Sequence, residues 1–134
     1  MSNPISNIIA LHTDKATFKK IAAIIVNKDR TNFNSILPAP EGLKGNDLAD
    51  WRRENWGCYA EGIDCSVNAR RQEIEFETNH RGATLISAAL SRMFPDVKVL
   101  QFDNSYHLRT DRIHGREAEK GKKTDRKDYS ATLL

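Results

Sequence analysis

A chain of 134 residues with a net charge of +3 and 39% hydrophobic content is one domain's worth, long enough to bury a core of its own without covalent staples. It contains no run of about 18 apolar residues, and Met1 to Ser6 is polar rather than a positive segment followed by an apolar block. A membrane-spanning protein and a secreted one are therefore not expected; a soluble, cytoplasmic protein is.

Asn7 to His12 reads as a buried strand, because Ile8, Ile9, Ala10 and Leu11 are apolar on both faces. Thr13 or Asp14 offers a side-chain oxygen to cap the next helix. In that helix Phe18, Ile21, Ala22 and Ile25 recur at helical spacing, with Lys15, Lys19, Lys20 and Lys28 on the wet side. It is expected to end near Asn27 to Arg30. From Thr31 to Gly45 the periodicity disappears, and Pro38, Pro40, Gly42 and Gly45 punctuate a long connection in which Phe33, Ile36 and Leu37 favour packing. A short helix from about Asn46 turns Leu48, Trp51 and Trp56 inward, and Gly57 is placed to close it in the left-handed conformation.

Tyr59, Ile63, Cys65 and Val67 then alternate with Ala60, Gly62, Asp64 and Ser66 as a strand does. On one such strand Cys58 and Cys65 point to opposite faces and lie about 23 Å apart, too far for a disulfide. A reducing compartment fits, and the spacing suggests no zinc site. Asn68 to Arg71 makes a turn into the clearest strand of the chain, with Ile74, Phe76 and Thr78 on one face and Glu73, Glu75 and Glu77 on the other. After Gly82, Leu85, Ile86, Ala89, Leu90 and Met93 form the inner stripe of a helix ending at Phe94 and Pro95. Val97 to Phe102 is the last strand. Both its faces are partly apolar, so the returning tail or a second copy of the chain, as in a homodimer, is expected to cover the open side.

Strand, helix, strand, strand, helix, strand is the split unit of the α+β ferredoxin-like fold: a βαββαβ antiparallel sheet in spatial order 4-1-3-2 with two helices on one face. Here the domain would occupy residues 1–106, with a helical insertion at 31–57 before the second strand. Residues 107–134 read as a basic tail, partly extended or disordered. The tail carries eight Lys or Arg against five acids, and the rest of the chain is balanced.

Several stretches together carry a resemblance: Leu37 to Glu41; Trp51 with Asn55, Trp56 and Gly57; Phe76 to Thr78; and Ile86, Ala89, Leu90, Ser91, Phe94 and Pro95. Over about residues 36–102 they resemble the YubB-like ferredoxin-like domain family, small proteins of phages and plasmids. The chain departs from that family in two places. Cys58, Tyr59 and Ala60 stand where Thr-Lys-Trp is usual, and Asn79 to Gly82 stands where a tryptophan and prolines are usual. The resemblance implies the fold and a mobile-element origin in a bacterial host, and no particular activity.

Candidate chemistry is sparse. Among the histidines, His80 and His107 fall at one end of the expected sheet with the first strand between them, about 10 Å apart. His12 lies at the other end, so neither these nor His114 is expected to form a catalytic or metal site. No nucleophile elbow, phosphate loop or dinucleotide fingerprint occurs, and no cofactor is expected. The open sheet face would present Glu73, Glu75 and Glu77, which repel a phosphate backbone and argue against base stacking there. The expectation is a non-enzymatic accessory protein that binds a host protein or ribonucleoprotein of a defence system, such as a CRISPR effector. Trp51, Arg52, Arg53, Trp56 and Tyr59 are the candidate contacts, since aromatic and arginine side chains dominate binding energy when buried. The alternative is nucleic-acid binding through Arg109, Arg112, Arg116, Lys120, Lys122 and Lys123. A hydrolase or nuclease using His80 or His107 ranks last.

Overall fold

The computed structural model describes residues 4–103 and the backbone of a strand at 111–114. In chain order the elements are β1 (Pro4–His12), α1 (Lys15–Ile25), β2 (Val26–Asn27), β3 (Arg30–Thr31), a 3-10 turn (Phe33–Ser35), α2 (Gly45–Trp56), β4 (Ile63–Asn68), β5 (Glu73–Asn79), α3 (Thr84–Met93), β6 (Lys98–Asp103) and β7 (Asp111–His114). The protein is α+β. Its main sheet runs in the order β4-β5-β1-β6-β7 and every pairing is antiparallel. The expected layer had four strands. Those four, β6-β1-β5-β4, keep the expected neighbours, and β7, inside the stretch read as tail, adds a fifth beside β6, so the full order is longer than the expected one and the sheet's edges are β4 and β7. No helix of the described residues is long and apolar enough to cross a membrane.

Capping sets the start of α1. The Asp14 carboxylate accepts the Thr17 backbone N–H at 2.7 Å and its hydroxyl at 2.9 Å. The backbone bond, then the hydroxyl, holds the Asp14 carboxyl below its ordinary value. The helix ends at Ile25, earlier than the lysine pattern predicts. Val26 is already extended, and β2 and β3 close a two-residue ladder around Lys28, whose φ of 62° makes the turn.

Phe18, Ile21, Ala22 and Ile25 of α1 pack with Ile86, Ala89 and Leu90 of α3 over Ile9, Leu11, Ile74, Phe76 and Val99 of the sheet. The α3 stripe is turned from the expected one. Leu85 and Met93 are 39% and 45% exposed, while Ser87 and Ser91 face inward. β4 departs further from strict alternation. A bulge between Ile63 and Ser66 and a positive φ at Asp64 leave Cys65 inside and Ile63 and Val67 exposed. The strand begins only at Ile63, so the reading of Cys58 and Cys65 as opposite-facing residues of one strand is corrected: both are free thiols of the same core. On the face away from the helices, Ala10, Leu100 and Phe102 form a second, small buried cluster with Ile8 against it. Of the tail named as its cover, only the backbone of β7 beside β6 is described.

Between sheet and α3 lies a buried polar cluster that hydrophobic patterning does not reveal. Asn7 Nδ2 donates to Ile5 O at 3.1 Å and to Thr78 Oγ1 at 3.0 Å, while Asn7 Oδ1 accepts from Ala83 N–H and Gln101 Nε2, both at 3.0 Å. Thr78 passes its own proton to Arg81 O at 2.6 Å, and the Ser87 hydroxyl bonds Gln101 Oε1. Ser87 turns inward because its partner is there. Asn7, Ser87 and Gln101 have no exposed surface, so each lost partner would strand a buried polar group at about 1–3 kcal/mol. Asn7→Leu is therefore expected to lower the unfolding free energy by about 3 kcal/mol in urea titration with an unchanged slope; a loss below about 1 kcal/mol would show the cluster to be incidental.

Candidate functional site

The insertion is built on Trp56. Its indole N–H donates to Leu37 O at 2.8 Å, and its ring meets Phe33 edge to face, with centroids 5.5 Å apart. Phe33 in turn meets Phe76 of β5 at 5.4 Å. An aromatic chain thus runs from α2 to the sheet. Trp51 joins it at 6.1 Å and is half-buried.

Glu61 holds the other side of the insertion. Its carboxylate accepts from the Thr31 hydroxyl at 2.7 Å and from the backbone N–H groups of Phe33 and Asn34 at 2.6 and 3.2 Å. Gly57 then joins α2 to the body. Its φ is +93°, and a β-carbon there would lie 2.9 Å from Gly82 O and 3.1 Å from Thr84 N at the start of α3. Conformation and close approach both require glycine.

Above this frame the Arg52 guanidinium carbon lies 4.9 Å from the centre of the Trp56 ring, a cation–π contact. Its Nε is closed off from solvent and has no acceptor among the described residues. Arg52 forms part of the wall of a half-open groove of about 350 Å³. Arg30, Tyr59, Glu61 and Glu77 supply its other polar walls, Ala60 and Ile63 an apolar part, and Thr78 and Asn79 its end. Among the described residues the side chains of Arg30, Tyr59 and Glu77 form no hydrogen bond or ion pair. A concave site with convergent unpaired polar groups is the arrangement expected of a binding surface.

Of the five residues proposed from sequence, Arg52 and Tyr59 line this groove. Trp56 has no exposed surface and acts from beneath by holding Arg52. Arg53 is not part of the groove lining; it lies 3.5 Å from Glu54 and is half-buried. Arg30, Glu61 and Glu77 were missed; they come from three separate stretches, and only the fold assembles them. The alternative nucleic-acid residues Arg109, Arg116, Lys120, Lys122 and Lys123 lie outside the described residues, and of Arg112 only the β7 backbone is described. His107 and the His114 side chain lie outside too. His80 is exposed in a turn with φ of 68°.

A second hollow, at the β4–β5 turn, includes Arg71 and Glu73, which pair with each other at 3.8 Å. No group of His, Cys, Asp and Glu among the described residues could hold a metal ion. Burial pushes the Cys58 thiol up to about 12, and burial with the nearby Asp29 carboxylate pushes Cys65 up to about 11. Neither is primed as a nucleophile at neutral pH.

Gly57→Ala is expected to destabilise the fold by about 1–3 kcal/mol and to quench or shift tryptophan emission, since α2 can no longer seat against Gly82 and Thr84. A variant with wild-type stability and emission would show that this close approach does not position the site.

Compared with known protein families, with characterised proteins and with solved structures, the chain matches none.

Proposed function

We propose that the protein is a non-enzymatic binding protein that engages a host macromolecule through the corner between α2 and β4. The observation that carries this reading is Arg52: a guanidinium laid on a buried indole, in the wall of a groove where, among the described residues, the side chains of Arg30, Tyr59 and Glu77 have no hydrogen-bond partner. An arginine fixed on an aromatic ring is poised for bidentate recognition at little entropic cost.

The wider role follows from the residues that resemble the YubB-like family. In this reading the core is a ferredoxin-like βαββαβ unit extended by β7 and the insertion. The protein serves a phage or plasmid in the bacterial cytoplasm, and its target is a protein or ribonucleoprotein of a defence system such as a CRISPR effector. Fold alone does not license that assignment; gene neighbours that also counter host defence would support it. The segregation of positive charge beyond residue 107 favours a second reading, nucleic-acid binding by the tail.

One experiment separates the two readings. The full chain is cross-linked in bacterial lysate beside the Arg52→Glu, Tyr59→Ala double variant, with circular dichroism as the folding control. Recovery of a defined protein partner by the wild type and its loss with the double variant is expected. Recovery of nucleic acid alone, falling steeply as salt rises and unaffected by the double variant, would transfer the function to the tail. Recovery of no specific partner would overturn the proposal.

A further inference from the structure

The groove's charges say more than that it binds. Two arginines, Arg30 and Arg52, and two glutamates, Glu61 and Glu77, line it, so the lining is neutral overall. Glu61 is committed to three donors of the insertion, whereas Arg30, Arg52 and Glu77 have no hydrogen-bond partner among the described residues. An apolar occupant would bury two guanidiniums without acceptors, a cost that grows as water leaves. A cation would meet both arginines.

Anions divide by their charge. A phosphate monoester carries about −1.5 to −2 and would be pressed against both Glu61 and Glu77. A nucleic-acid strand would bring one phosphate after another to the same two carboxylates. A carboxylate carries a single charge, and its two oxygens match the parallel N–H pair of a guanidinium. Size points the same way, because about 350 Å³ holds one or two side chains, at the small end of the range for ligand sites. Ile63, 44% exposed on the edge strand β4, gives an apolar contact to the stem of an acidic residue or to an aliphatic neighbour.

Resting on the binding role proposed above, we infer that the groove is a carboxylate pocket: it takes one Asp or Glu side chain, with an aliphatic residue beside it, from an acidic segment of a partner protein. Arg52 and Arg30 receive the carboxylate, Tyr59 and Ile63 flank its stem, and Glu77 excludes phosphate.

The test pans the full chain against a random peptide library. An enriched peptide and its Gln analogue are then titrated by tryptophan fluorescence, with inorganic phosphate and a single-stranded oligonucleotide as competitors. The expected result is enrichment of Asp or Glu next to an aliphatic residue, with affinity at least about tenfold lower for the Gln analogue, for Arg52→Met and for Arg30→Met. Arg30 is exposed, so its replacement keeps the test open if Arg52→Met fails to fold. Glu77→Gln should let phosphate compete where the wild type does not. Peptides without acidic enrichment, affinity indifferent to both arginines, or competition by phosphate with the wild type would each overturn the inference. If the cross-linked partner still depends on Arg52 while no acidic preference appears, the carboxylate assignment alone falls; if both are lost, the binding role falls with it.

Discussion

Asn7 interrupts an otherwise apolar strand and is buried completely, and its carboxamide uses both donors and both acceptor positions. Those four bonds reach β1 itself, β5, β6 and the residue before α3. A hydrophobic face can slide or tilt on another at modest cost. A buried amide with every bond filled cannot, because any shift of register or helix position strands a donor or acceptor in a dry interior. The cluster therefore specifies one arrangement of three strands and a helix out of several that apolar packing would tolerate.

That constraint extends to the groove through two close approaches. Gly82, where a β-carbon would lie 2.8 Å from Asp103 Oδ2 and 3.1 Å from Asn7 Oδ1, leads directly into Ala83 and α3. Gly57, at the end of α2, sits against Gly82 and Thr84 in turn. Asn7 fixes the start of α3, which seats the end of α2, and α2 carries Trp56 with Arg52 above it. Thr78 links the same cluster to the groove from the other side, because it bonds Asn7 and also lines the pocket. The groove thus takes Arg52, Ile63, Glu77 and Thr78 from a helix and two strands, as precise recognition would require.

The elements that could be read from the sequence were those whose side chains follow one rule throughout. In β5, Ile74, Phe76 and Thr78 alternate with three glutamates, and α1 keeps its apolar stripe from Phe18 to Ile25; both lie as the spacing predicts. Gly57 was legible as a helix cap because its role is local. The misreadings have a common cause. α3 is rotated because Ser87 prefers Gln101 to solvent, and no periodicity shows that a serine's partner lies on another strand. β4 loses its alternation to a bulge, and the strand begins at Ile63, leaving Cys58 outside it. In the groove, Arg52 and Tyr59 stood out as an arginine and an aromatic beside the tryptophans. Arg30, Glu61 and Glu77 look in sequence like ordinary solvated charges until the fold brings them together.

The central claim is that the Asn7 amide ties the start of α3 to the sheet, and one amide reports on it directly. Ala83 N–H lies before the first residue of α3 and outside the sheet ladders, and its acceptor is Asn7 Oδ1. In native-state hydrogen exchange the account predicts that Ala83 exchanges only with global unfolding, at the same free energy as the amides at the centre of β1. Exchange of Ala83 at the rate of an exposed turn such as Gly42, while β1 remains protected, would contradict it.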